Sequence, residues 1–77
     1  MTLQGYVLGL HNHYQGLRLP PQNYIVYNVT RGQGDSYIAT VQLLNYTPAA
    51  YYVGTGIGQM GAKEAAAYNA GRALRLW

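Results

Sequence analysis

The feature that most constrains this chain is an alanine-rich segment from Ala62 to Leu76, in which Ala62, Ala66, Ala70, Ala73 and Trp77 recur at helical spacing. Apart from Gly71 its residues have high helix propensity. A helix whose buried side is nearly all methyl groups must lie unusually close to whatever it covers, and a sheet offers the flattest partner. The rest of the chain has to supply that sheet. It has little else to draw on, because 77 residues that are 49% apolar allow one compact domain, over residues 1–77, with one modest core. No cysteine is available for a disulfide or a thiolate zinc site.

Three strand-like runs precede the alanine helix. Tyr24 to Thr30 is rich in β-branched and aromatic residues and ends at Arg31-Gly32-Gln33-Gly34-Asp35, a glycine-rich hairpin loop. Tyr37 to Leu43 alternates, with Tyr37, Ala39, Val41 and Leu43 on one face, as expected of a sheet that covers a core on one side. A loop from Asn45 to Ala49, broken by Pro48, leads to a third run at Tyr51-Tyr52-Val53 before glycines take over. Together they predict a three-stranded antiparallel meander. Upstream, Leu3, Val7, Leu10 and Tyr14 mark one face of a helix from Thr2 to Gln15, with Thr2 as its cap. Gly5 and Gly9 each weaken that helix by about 1 kcal/mol relative to alanine, so it depends on packing. Leu19-Pro20-Pro21 then ends it. The expected architecture is α+β, in the order α-β-β-β-α, with both helices on one face of the sheet.

Arg18, Arg31, Lys63, Arg72 and Arg75 stand against Asp35 and Glu64, a net charge of +3 that favours a polyanion without identifying one. Nine tyrosines in so charge-poor a chain suit protein contacts equally well. No apolar run approaches the roughly 20 residues needed to span a bilayer. The first residues lack the basic flank and apolar stretch of a signal peptide, and with the absence of cysteine this predicts an intracellular protein, cytoplasmic or nuclear.

Several catalytic or cofactor readings are weak on chemical grounds. Gly56-Ile57-Gly58-Gln59-Met60-Gly61 matches Gly-x-Gly-x-x-Gly between a strand and a helix, but a dinucleotide fold also needs a second parallel strand and an acidic residue about 20 positions on. The physics of that turn nevertheless leaves backbone N–H groups and a positive helix end to meet a phosphate. His11-Asn12-His13 suggests a metal pair, yet side chains two apart on a helix diverge and further ligands are absent. Ser36, the single serine, has no evident base, and Asp35 and Glu64 would have to converge from a hairpin and a helix to act as a carboxylate pair. Tyr51-Tyr52 could stack bases, although strand aromatics more often serve the core or the sheet surface. The expectation is a non-enzyme without cofactor or metal.

The run Gly54-Thr55-Gly56-Ile57-Gly58-Gln59-Met60-Gly61-Ala62-Lys63-Glu64-Ala65-Ala66-Ala67-Tyr68-Asn69-Ala70 resembles the Gly-x-Gly-x-Ser-Lys-Lys-x-Ala-Lys-x-x-Ala-Ala-x-x-Ala signature of the double-stranded RNA-binding domain family. Gly54, Gly56, Ala62, Lys63, Ala66, Ala67 and Ala70 fall on signature positions. Pro21 with Tyr24, one position further apart, resembles the Pro-x-Tyr that opens the family's first strand, and the whole chain follows the family's element order. The resemblance implies shape-directed, sequence-tolerant binding of duplex RNA across two minor grooves and the phosphates between them, over roughly 16 base pairs. By analogy Thr2, Gln4 and Gln15 of the first helix would touch one minor groove. The hairpin with Arg31, Gly32 and Gln33 would enter the next, and Gly58, Gln59, Met60 and Lys63 would grip phosphate.

The departures fall at the same places. Gly58-Gln59-Met60 replaces Ser-Lys-Lys, the family's Gly-Pro-x-His reads Gly32-Gln33-Gly34-Asp35, and the linker after the first helix is longer than usual. Losing two of three lysines should lower both affinity and salt sensitivity. The alternative is a degenerate member used for protein contacts or homodimerisation.

Overall fold

The computed structural model describes residues 5–77. Helix α1 spans Tyr6–Gly16, a one-turn helix α2 spans Pro21–Tyr24, strands β1, β2 and β3 span Ile25–Arg31, Ser36–Leu43 and Ala50–Ile57, and helix α3 spans Gly58–Ala73. The strands form one antiparallel sheet in the order β1-β2-β3, so the arrangement is α-β-β-β-α with one added turn.

The pairing brings the inward residues of all three strands into rows. Val29, Ala39 and Gly54 lie abreast, as do Tyr27, Val41 and Tyr52, and Ile25, Leu43 and Ala50. On these rows sits the core, in which Ala39, Val41 and Leu43 of β2 meet Ala62, Ala66, Ala67 and Ala70 of α3 and Leu10 and Tyr14 of α1. Helix α3 lies over β2 and β3, and α1 packs against α3 on the same side. Among the described residues nothing covers the outer face of the sheet, where Ile38, Tyr51, Val53 and Ile57 are exposed.

Four expectations are corrected. The first helix begins at Tyr6 rather than at Thr2, whose proposed capping role lies outside the described residues; the residue at the cap is Gly5. Its amide ends are satisfied from far away, because the Glu64 carboxylate accepts the N–H groups of Tyr6 and Val7, each at 3.0 Å. Pro21 and Tyr24 do not open a strand. The preceding helix already ends at Gly16, ahead of both prolines, and Pro21 occupies the first turn of another, where a missing N–H costs nothing, so β1 starts one residue later, at Ile25.

The third strand does not stop at Val53 but runs through Gly54 and Gly56 to Ile57. These glycines are where α3 comes closest. A Cβ on Gly56 would stand 2.6 Å from the carbonyl carbon of Gly61, and one on Gly54 would overlap the backbone of Ala65 and Ala66. The alanine helix accordingly starts at Gly58 and ends at Ala73, and its buried side is Ala62, Glu64, Ala66, Ala67, Ala70 and Gly71, with Ala73 exposed.

Both long helices end in the same motif. Leu19 N–H reaches Tyr14 O and Arg18 N–H reaches Gln15 O, each at 3.0 Å, while Leu76 N–H reaches Gly71 O at 2.8 Å and Arg75 N–H reaches Arg72 O at 3.1 Å. This is the Schellman closure, with Arg18 and Arg75 both at φ 62 in the left-handed position that glycine usually fills. The second closure turns Trp77 back across α3, where its ring lies on Gly71 and Gly9 and its Nε1–H donates to Tyr68 O at 3.0 Å.

Candidate nucleic-acid interface

The β1–β2 hairpin is closed by Gly32 N–H to Ser36 O at 2.9 Å and Ser36 N–H to Gln33 O at 3.0 Å, with Gly34 at φ 61 completing the reversal. Ser36 Oγ donates to Gln33 O at 2.6 Å, which commits the single serine to the turn. Arg31 Nη2 reaches back to Gly34 O at 3.4 Å, and Gln33 and Asp35 are exposed at the tip. The hairpin is tied to the start of α3, since Gly58 N–H donates to Asp35 O at 3.0 Å. One of the amides expected to be open at this helix end is therefore occupied. No side chain caps α3, and Gln59 and Met60 are exposed beside the hairpin.

Of the residues expected to act together, Arg31, Gly32, Gln33, Gly58, Gln59 and Met60 thus gather at one end of the molecule. Gln15 does not join them; near the C-terminal end of α1 it lines a shallow hollow with Arg18 and the Leu19 to Gln22 segment. Thr2 and Gln4 lie outside the described residues. Lys63, a little over one turn into α3, is half-buried, with Nζ 5.9 Å from the centroid of the Tyr27 ring. The cations are dispersed. Arg72 and Arg75 sit at the far end of α3, roughly 20 Å along its axis from Gly58, and Arg18 lies in the α1–α2 connection.

Two neighbouring features escaped the sequence reading. Leu8 (61% exposed) and Met60 (63% exposed) flank a cleft of about 300 Å³ that Val7, His11 and Glu64 complete. A second hollow, of about 200 Å³, lies between α1, α2 and β1 and is lined by Val7, His11, Pro21, Gln22, Ile25 and Tyr27. Among the described residues the buried Tyr27 hydroxyl has no hydrogen-bond partner, and burial, with the nearby Glu64 carboxylate, pushes its pKa up to about 12. The signal for Glu64 was available: it shares a helical face with Ala67 and Gly71, so an alanine stripe read three and seven residues onward would have marked it as inward.

The remaining candidates take ordinary places. His13 packs edge-on against Tyr14, whose hydroxyl donates to Asn45 Oδ1 at 2.6 Å. Asp35 is exposed in the hairpin, whereas Glu64 is spent on the start of α1, so each carboxylate has its own surroundings. Tyr52 faces the core and Tyr51 the outer surface, where Gln42 Nε2 donates to its hydroxyl. Among the described residues no helix is long and apolar enough to cross a membrane. No family model matches the chain, and no curated protein matches it.

Proposed function

We propose that this chain is a member of the double-stranded RNA-binding domain family that binds duplex RNA weakly and with little sequence preference, inside the cell, in the cytoplasm or the nucleus. The observation that carries the reading is the bond from Gly58 N–H to Asp35 O, which holds the Arg31–Gln33 turn beside the uncapped start of α3. A protruding turn and a positive helix end side by side suit a minor groove and the adjoining phosphates. The α-β-β-β-α order and the glycine and alanine positions of the signature support the same reading. Glu64 supports it too, because its buried charge faces the α1 amides rather than the solvent. Only Arg31 and Lys63 lie near this end, which is why the binding is weak.

A second reading, contact with a protein or with another copy, is favoured by a different observation. The outer sheet face exposes Ile38, Tyr51, Val53 and Ile57 and carries no charged residue. Gel-shift titrations with duplex RNA, duplex DNA and single-stranded RNA at several salt concentrations separate the two. Duplex RNA is expected to shift selectively at low salt, and Lys63→Ala to lower the slope of log affinity against log salt by about 1. Absence of any shift at low salt, with a dimer in sizing chromatography, would support the second reading instead.

A further inference from the structure

Among the described residues, strand β3 is a free edge of the sheet. Free edges are normally blunted by charge, proline or a bulge, yet Ala50–Ile57 contains neither a charged residue nor a proline, and its register with β2 runs unbroken from Ser36↔Ile57 to Leu43↔Ala50. Beside this edge lies a groove of about 490 Å³, walled by Val53, Gly54 and Thr55 of β3, by Ala65, Tyr68 and Asn69 of α3, and by Tyr6 of α1. Tyr6 and Tyr68 meet edge to face at 4.9 Å and give it an apolar side.

One contact identifies the chemistry the edge accepts. Asn69 Nδ2 donates to the carbonyl of Val53 at 2.7 Å. A carboxamide N–H is chemically the donor that a neighbouring strand would present. Because backbone groups point alternately to either side along a strand, Tyr51, Thr55 and Ile57 direct theirs to the same open edge as Val53. We infer that the β3–α3 groove accepts an extended, uncharged peptide segment of a protein partner, which adds to β3 as a fourth strand and displaces Asn69 from Val53 O.

The occupant follows from size and charge. An edge of eight residues is about 27 Å long and, with the thickness of a sheet, presents an outline of roughly 270 Å². That falls well short of the ~800 Å² per partner that a stable pair of folded proteins buries, so two rigid copies meeting edge to edge would hold poorly. A single extended segment can follow the strand and also fill the groove beneath Tyr6 and Tyr68. Neither the strand nor the groove walls carry a charge, and the neighbouring cation, Arg72, is held on the Tyr68 hydroxyl at 3.3 Å, so an acidic side chain in the segment would have to draw Arg72 from that bond and a basic one would be repelled by it. The inference does not depend on RNA binding, since the hairpin and the start of α3 take no part in it.

The test is an amide-resolved NMR titration of the full chain with a capped octapeptide of alternating threonine and valine, against a capped glycine-serine octapeptide. Saturable shifts are expected at the amides of Tyr51, Val53, Thr55 and Ile57 and at the Asn69 side chain, with the glycine-serine peptide inert. Val53→Pro removes a donor that faces the open edge rather than β2 and is expected to weaken the peptide about tenfold or more, the cost of one strand hydrogen bond. Unchanged amide shifts in α1 show that this variant is folded, and Thr55→Lys, which puts a charge on the edge, gives a second loss if it is not. Asn69→Ala is expected to tighten binding. Shifts confined to Val26, Ile38 and Thr40 on the outer face, no saturable shift by either peptide, or concentration-dependent shifts of the β3 amides without peptide, which would assign the edge to a second copy, would each overturn the inference.

Discussion

The carboxylate of Glu64, in the middle of α3, accepts the backbone N–H of Tyr6 at the first position of α1 at 3.0 Å, and its second oxygen accepts Val7 N–H at the same distance. The residue at the cap of α1 is glycine, so this long-range bond substitutes for the local serine, threonine or aspartate that starts most helices. Glu64 is 6% exposed, and among the described residues its carboxylate is met by helix amides. Glu64→Ala would leave two helix amides without their acceptor and should cost about 3 kcal/mol in urea denaturation, with Glu64→Gln costing less because one oxygen still accepts. A loss under about 0.5 kcal/mol for the alanine variant would mean that the α1 start does not rely on it.

The glycines of the β3–α3 passage differ in what surrounds them, and alanine substitution reads the difference. A methyl at Gly56 would meet the Gly61 carbonyl carbon at 2.6 Å, whereas one at Gly61 would meet only ordinary contacts at 3.7 Å and beyond. Gly56→Ala should destabilise by about 3 kcal/mol, since backbone on both sides must move. Gly61→Ala should stabilise by up to about 1 kcal/mol, because glycine is a poor helix former. Thermal melting of the pair checks both signs.

Arg18 and Arg75 hold the left-handed positions of their Schellman closures at φ 62, and both side chains are exposed. A side chain in that conformation costs about 1 kcal/mol that glycine does not incur. Arg18→Gly and Arg75→Gly should each raise stability by about 0.5 kcal/mol after the extra freedom of glycine in the unfolded chain is counted. Unchanged or lower melting temperatures would show that the arginines make compensating contacts.

Two tyrosines set the alkaline limit of the fold. Burial, then the neighbouring Tyr46, raises Tyr14 to about 12 despite its bond to Asn45, and burial with Glu64 raises Tyr27 to about 12. The folded chain therefore keeps protons that the unfolded chain releases near pH 10, so this contribution is complete below that value and is lost as pH rises through 12. For Tyr14 it amounts to on the order of 2 kcal/mol. In a spectrophotometric titration the Tyr14 and Tyr27 hydroxyls should ionise late, at about pH 12. Tyr14→Phe should remove one late step and flatten the loss of stability above pH 10. Ionisation of Tyr14 and Tyr27 at the ordinary tyrosine value of about 10 would disprove the burial of these hydroxyls.

The meander was legible in the chain because its patterns are local. Tyr37, Ala39, Val41 and Leu43 alternate with a period of two, and the glycine-rich run from Arg31 to Asp35 closes a hairpin through its own backbone. The hairpin entered the candidate site only through the resemblance to the family signature, whereas the start of α3 was suggested by its glycines and its position ahead of a helix. Strand β3 beyond Val53 was not, since Gly54 and Gly56 read as turn residues until a helix backbone is seen where their side chains would be. The turn at Pro21 was hidden because a proline that reads as a helix breaker also suits the first turn of a helix, where its missing N–H costs nothing.

Sequence alone thus determined the order of the two long helices and three strands, the inward face of β2 and the small face of the covering helix, all of which follow from periodicities carried within a dozen residues. Only the tertiary structure decided that Glu64 starts α1, that Asp35 O fastens the hairpin to Gly58, and that the arginines are scattered over the molecule. Those relations join residues as far as 58 positions apart. Such distances are set by how the rigid pieces settle against one another, and no local preference of the chain encodes them.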